Sequence, residues 1–188
     1  MLYMGNHEWW HARFKNRTLN LMTHEQRLEK DLLYFPSKGK ILDLACGDGR
    51  NTIYLARLGY EVIAVDFCEE ALYRLNLFIK DEPLQIQTLL LDLSQAASLT
   101  HLDKVDGIII NHYRLNPSLY PHLIKLIKPK GILWVNGFYE VPKDNPNIHI
   151  SDLLTDDDFT QLPPHALKDK LNYAINDRKF IRYIWQMP

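Results

Sequence analysis

Apolar residues in this chain fall into two alternating patterns. The first is a short, near-continuous run: Lys40–Ala45, Glu61–Val65 ending on Asp66, Ile86–Leu91 stopping at Asp92, Val105–Ile110, and Ile132–Asn136 after the turn Pro129-Lys130-Gly131. The second recurs every three or four positions and predicts helices. Thr23-His24-Glu25-Gln26 reads as a capping box, with Leu28, Leu32 and Leu33 behind it and Pro36-Ser37-Lys38-Gly39 as the stop. Arg50–Leu58 follows the loop that carries Gly47 and Gly49 and ends at Gly59, a residue suited to positive φ. Glu69–Ile79 carries Leu72, Leu75 and Ile79 on one stripe, and a further helix is predicted over Ser118–Ile127.

Strand and helix alternate at the spacing of βαβ crossovers, so the strands are expected to be parallel, with helices on both faces. The last third differs. Residues 138–165 are rich in loop formers, with Thr155-Asp156-Asp157-Asp158 as an acidic helix start. Leu171–Ile175 and Lys179–Trp185 flank Asn176-Asp177-Arg178 as a hairpin. The expected fold is therefore α/β: a doubly wound, mostly parallel seven-stranded, Rossmann-like sheet ending in an antiparallel hairpin. One domain is expected over 1–188, with an aromatic segment at 1–21, a core at 22–137, and a loop and closing hairpin at 138–188.

A chain of 188 residues, 46% hydrophobic and 24% charged, can bury a core without staples. Its net charge of −1 argues against nucleic acid as the main partner. Cys46 and Cys68 form no Cys-x-x-Cys pair and sit in or beside apolar runs, which points to reduced thiols and a cytoplasmic protein. No apolar run is long enough to span a bilayer, and the N-terminus is not a secretory signal.

The most informative stretch is Asp43-Leu44-Ala45-Cys46-Gly47-Asp48-Gly49, between a buried strand and a helix start. Ligands of such sheets bind at the carboxyl ends of strands. Gly47 and Gly49 let the backbone turn tightly and approach a ligand. Asp66 at the end of the second strand can accept both ribose hydroxyls of an adenosine. Asp92 after the third can accept from an adenine amino group, and Phe67 can stack on the base. Three acids at three consecutive strand ends describe one nucleoside pocket.

The run Ile41–Asn51, then Val65-Asp66, then Leu91-Asp92-Leu93, resembles class I S-adenosylmethionine-dependent methyltransferases. Arg50-Asn51-Thr52-Ile53-Tyr54-Leu55-Ala56 looks most like their small tellurite-resistance-type and thiopurine-type branch. The resemblance covers residues 25–137 and fits the closing hairpin. It implies S-adenosylmethionine as cofactor, S-adenosylhomocysteine as product, and a small-molecule acceptor methylated by in-line transfer. Asp43 and Gly47 would face the methionyl end, Asp66 the ribose, and Asp92 and Leu93 the adenine. The family often has Gly where this chain has Ala45, a change that still admits the cofactor. Asn111 is counted on the cofactor side.

The acceptor is expected beyond the fourth strand, at Asn111-His112-Tyr113-Arg114. His112 has the pKa range of a base or proton shuttle, against the plainer reading of a polar residue satisfied at a strand end. Tyr113, the other catalytic candidate, shapes a pocket wall or simply packs. Arg114 holds an anionic substrate or stands as a solvated loop charge. No Pro-Pro follows, unlike in relatives that methylate base amino groups. Glu8-Trp9-Trp10-His11-Ala12-Arg13-Phe14 resembles the lead-in that folds over the cofactor in small methyltransferases. Arg13 would meet the methionyl carboxylate and Trp10 would cover the site on the substrate side. Residues 138–165 are a further candidate wall. No metal is expected, since His7 and His11 lack a third ligand. Two other functions share parts of this signal. One is a non-catalytic module binding S-adenosylmethionine or S-adenosylhomocysteine. The other is an NAD-dependent oxidoreductase, disfavoured because Thr52 stands where the dinucleotide fingerprint needs Gly or Ala.

Overall fold

A computed structural model describes residues 6–94, 99 and 101–188; the first five residues of the aromatic segment lie outside them. Seven strands form one sheet in the order β3-β2-β1-β4-β5-β7-β6. The parallel part is β1 (Lys40–Leu44), β2 (Glu61–Asp66), β3 (Ile86–Leu90), β4 (Val105–Asn111) and β5 (Ile127–Phe138). β6 (Leu167–Ile175) and β7 (Arg178–Gln186) close it antiparallel, β7 pairing with β5. The order reverses between β1 and β4, and it is there that an open sheet leaves a crevice for a ligand.

Successive strand residues serve opposite faces. Ile41, Val62, Ile109, Ile132, Trp134 and Ile184 pack on Leu28 and Leu55, which lie on helices α2 (Gln26–Asp31) and α3 (Arg50–Arg57). Leu42, Leu44, Val65, Ile108, Ile110, Leu133 and Val135 face the other way, onto Leu119, Leu123 of α5 (Tyr120–Leu126) and Phe159. Helix α4 (Glu69–Ile79) follows β2. Helix α1 (His7–Lys15) lies against α4 through a small cluster of Phe14, Cys68 and Ala71.

Several boundaries differ from the sequence expectation. Thr23 does not cap α2. Glu25 does, its carboxylate accepting from the Arg27 N–H, because the Glu25 N–H is itself fixed by Asn51 Oδ1 at 2.9 Å. After Asp31 the chain tightens into a 3₁₀ turn, Leu32–Tyr34, which breaks the helical period and leaves Leu33 76% exposed. Asp31 is fully buried, accepting from Trp134 Nε1 at 2.9 Å and pairing with Arg182 at 2.8 Å, so it pins α2 to the sheet. Pro129-Lys130-Gly131 does not precede β5 but lies inside it as an irregularity. Val105 pairs with Ile127 and Gly107 with Ile132, and Lys130 takes φ 63°. The acidic start at 155–158 opens only a 3₁₀ helix, Asp156–Phe159, with Thr155 and Asp158 as a capping box. The hairpin turn has φ 49° at Asn176 and 63° at Asp177, the hand that matches strand twist.

Candidate functional site

The loop after β1 is built by positive φ: 56° at Ala45, 59° at Gly47 and 87° at Gly49. At Gly47 the conformation is free of cost, and space is short as well. A Cβ there would lie 3.3 Å from Phe14 of α1. At Gly49 a Cβ would lie 2.3 Å from Leu75 of α4. Gly49 caps α3 and makes room for Leu75, and it does not line the cavity described below. Ala45 pays the left-handed penalty that a glycine would avoid, about 1–2 kcal/mol. Its methyl packs against the larger core cluster.

Asp66 ties this loop to β2. Its Oδ2 accepts from the Gly47 N–H at 2.8 Å and its Oδ1 from the Cys68 N–H at 2.9 Å. Burial raises its pKa above the usual carboxylate range, and those two donors hold it back. Asp43, at the floor, accepts from Thr52 Oγ1 at 2.6 Å. Burial pushes it to about 7, opposed by Thr52 and aided by the charge of Asp66.

These residues open on a cavity of about 650 Å³, within the range of small-molecule sites. Of the residues expected on the cofactor side, Asp43, Ala45, Gly47, Asp66, Phe67, Asp92, Leu93, Asn111 and Arg13 all line it, as do Trp10, His112 and Tyr113. Asp92 is exposed, and its Oδ1 accepts from the Ser94 N–H at 2.8 Å. Asn111 Oδ1 accepts from Asn136 Nδ2 at 2.9 Å. From α1, Trp10 stacks on Phe14 with centroids 5.9 Å apart, and the Arg13 guanidinium lies 5.1 Å over the Trp9 ring and 5.8 Å over that of Trp10. Phe67 meets the His7 ring edge-on at 5.7 Å.

Arg114 is not in the lining. Its guanidinium forks onto Asp158, with Nη2 to Oδ1 at 2.6 Å, and donates to Ser151 O at 2.8 Å. It latches the 138–165 segment to the end of β4. That segment contributes nothing to the main cavity, whose lining among the described residues runs from Asn6 to Asn116.

His112 sits at φ 56°, with its ring stacked on Phe180 at 5.2 Å. Its Nδ1 is 3.4 Å from Arg50 Nη2, and its Nε2 is 3.3 Å from Glu25 Oε2. A guanidinium can only donate, so Nδ1 is the acceptor and the proton is on Nε2, facing Glu25. Burial holds the His112 pKa below its usual value, with Arg50 adding to this and Glu25 opposing it. Tyr113 is pushed up to about 12 by burial and the nearby acids, and stays a neutral phenol.

Sequence reasoning did not single out Glu25, Arg50, Asp48 or Arg74. Arg50 and Glu25 lie on a second cavity of about 570 Å³, which shares Met22 and Arg50 with the first and adds Asp144, Arg178 and Phe180. The one available signal was a charged residue, Arg50, inside the loop motif. Among the described residues, no group of three His, Cys, Asp or Glu is placed to hold a metal ion.

Residues 2–139 match the model of the family described as "Tellurite resistance protein TehB". The "Probable S-adenosyl-L-methionine-dependent methyltransferase TehB" of Haemophilus influenzae is 37% identical over 147 residues, 78% of this chain and 46% of that relative. The chain thus spans about half the length of that curated relative. The crystal structure of TehB from Haemophilus influenzae superposes with a TM-score of 0.66 at 21% identity, over 95% of this chain and 67% of that one. The glycopeptide N-methyltransferase MtfA complexed with S-adenosyl-L-methionine gives a TM-score of 0.66 at 16% identity, over 87% of this chain and 93% of that one. At these identities the two structures speak for the fold.

Proposed function

The chain belongs to the TehB family, and from that premise we propose that it is a methyltransferase that takes a methyl from S-adenosylmethionine to a small-molecule acceptor by in-line displacement. The observation that carries this reading is the joining of the glycine loop to Asp66 through the Gly47 N–H, on the wall of a cavity of about 650 Å³. The residues present fit the cofactor. Gly47 leaves a backbone cradle under Phe14 that a side chain would fill, and Asp43, Asp66 and Asp92 supply acceptors along one wall.

S-adenosylmethionine supplies an activated methyl on a sulfonium. The protein's part is to bind, align and exclude water. Asp43, once ionised, offers a buried charge to an ammonium group. Asp66 offers its remaining lone pairs to ribose hydroxyls, and Phe67 and Leu93 flank the base. Helix α1 acts as a lid, with Trp10 and Phe14 keeping water from the loop. Tyr113, held as a neutral phenol, orients by donating a hydrogen bond and takes no proton at neutral pH. His112 can take a proton at Nδ1 only when the acceptor displaces Arg50 from it, and Glu25 then faces the imidazolium from Nε2.

Calorimetric titration with S-adenosylmethionine, S-adenosylhomocysteine and NAD in parallel tests the reading. The expected result is micromolar binding of the two adenosyl ligands and none of NAD. Binding of NAD alone would overturn it, and adenosyl binding without turnover on any acceptor would favour a non-catalytic binding module.

A further inference from the structure

Arg74 lies on α4, outside the cavity lining, with a side chain only 4% exposed. A buried guanidinium is retained only with partners for its donors. Here Nη1 donates to Arg17 O at 2.9 Å, Nη2 to Thr18 O at 2.8 Å, and Nε and Nη2 reach Asp48 Oδ2 at 3.3 Å. Arg17 and Thr18 begin the strap that runs from α1 to α2, and Asp48 belongs to the glycine loop. Arg17 also pairs with Asp48, at 3.4 Å, with its side chain 28% exposed. One buried fork thus joins three parts: α4, the loop after β1, and the chain that carries α1.

Helix α1 also rests on Phe14, its one buried residue, which lies over Gly47 and in the small Phe14–Cys68–Ala71 cluster, with Trp10 packed against that cluster and His7 edge-on to Phe67. Burying one aromatic ring contributes about 2–3 kcal/mol, which works against the ordering entropy of a nine-residue helix. The Arg74 fork adds the polar part of the hold.

We propose that Arg74 is a positioning residue for the cofactor: by gripping the Arg17 and Thr18 carbonyls and Asp48 together, it holds α1 closed over the loop. The proposal rests on the reading of the cavity as the S-adenosylmethionine site. Arginine is required because three of its nitrogens reach two carbonyls and a carboxylate at once, and an ammonium group, a single compact donor, cannot fork across all three.

The experiment compares the parent protein, R74K and R57Q by titration with S-adenosylhomocysteine and by acrylamide quenching of tryptophan fluorescence without ligand. Arg57 is on α3, outside the cavity lining, and pairs with Glu82. Trp9 and Trp10 are on α1, and Trp134 and Trp185 are buried in the sheet, so added quenching reports the opening of α1. R74K is expected to weaken the ligand about tenfold, mostly by faster dissociation, and to raise quenching, while R57Q changes either by less than threefold. If R74K does not fold, R74Q leaves Asp48 its pair with Arg17 and is expected to show the same weakening and quenching. Unchanged affinity and quenching in a folded R74K or R74Q, or an equal effect of R57Q, would overturn the proposal. Absence of binding by the parent would instead overturn the reading of the cavity, while quenching would still test the clamp.

Discussion

Replacing Asp43 with Asn should stabilise the free protein, and by an amount that grows with pH. Asp43 is 1% exposed and its carboxyl is pushed to about 7, against 3.8 in an unfolded chain. The unfolded state therefore gives up its proton first as pH rises. Between those two values the folded state binds more protons, so stability falls with rising pH and levels off above about 7. A gap of about three units, at about 1.4 kcal/mol each, makes that loss about 4 kcal/mol. Asn keeps an oxygen for the Thr52 hydroxyl, but its buried amide N–H groups cost about 1–3 kcal/mol if unpaired. The net gain above pH 7 is then about 1–3 kcal/mol, or roughly 2–12 °C in Tm for a chain of this size. The stability difference between variant and parent should widen by about 3 kcal/mol from pH 5 to pH 8. Urea unfolding of both proteins at the two pH values measures this directly. A difference independent of pH would refute the reasoning, because it would mean that Asp43 does not carry the shifted titration. On the proposed placement of the cofactor, the same variant should bind S-adenosylmethionine more weakly, having lost the charge proposed to meet its ammonium group.

Three further outcomes follow from the geometry. Asp66→Ala leaves the Gly47 and Cys68 N–H groups unpaired and removes the acceptor proposed for the ribose, and should weaken S-adenosylhomocysteine at least about tenfold by calorimetry. Gly49→Ala meets Leu75 at 2.3 Å with φ at 87°, and should cost roughly 2–5 kcal/mol in urea unfolding by overpacking and backbone strain together. Arg114→Ala leaves Asp158, 1% exposed, without its guanidinium; it should cost about 2–3 kcal/mol in thermal unfolding and leave S-adenosylhomocysteine affinity within twofold.

What could be read from the sequence is what local pattern controls. Runs such as Ile41–Leu44 and Ile108–Ile110 are buried on both faces, so they show as unbroken apolar stretches, and the acids at their ends follow by position. The glycines announced a tight loop, but not that Gly49 answers to Leu75, which lies on the next helix. Glu25, Arg74 and Asp48 were hidden for a related reason. Their long-range partners are 25 to 87 residues away, and no periodicity relates them. Arg114 followed the opposite course. A charge just after a strand end has the look of a ligand group, yet its acceptor is Asp158, supplied by a capping turn whose placement depends on the fold of the 138–165 segment.

Every described residue that lines the larger cavity precedes position 117, and this has an evolutionary consequence. The lining comes from one stretch of the gene, but its support does not: Arg182 holds Asp31, Ile184 packs with Leu28 and Leu55, and Phe180 stacks on the His112 ring. Substitutions in β7 therefore reach the cavity through the core, while exposed positions of the 138–165 segment meet it only through such contacts as the Arg114–Asp158 latch. Drift in the last third is expected to concentrate before β6, leaving β7 as constrained as the lining it supports.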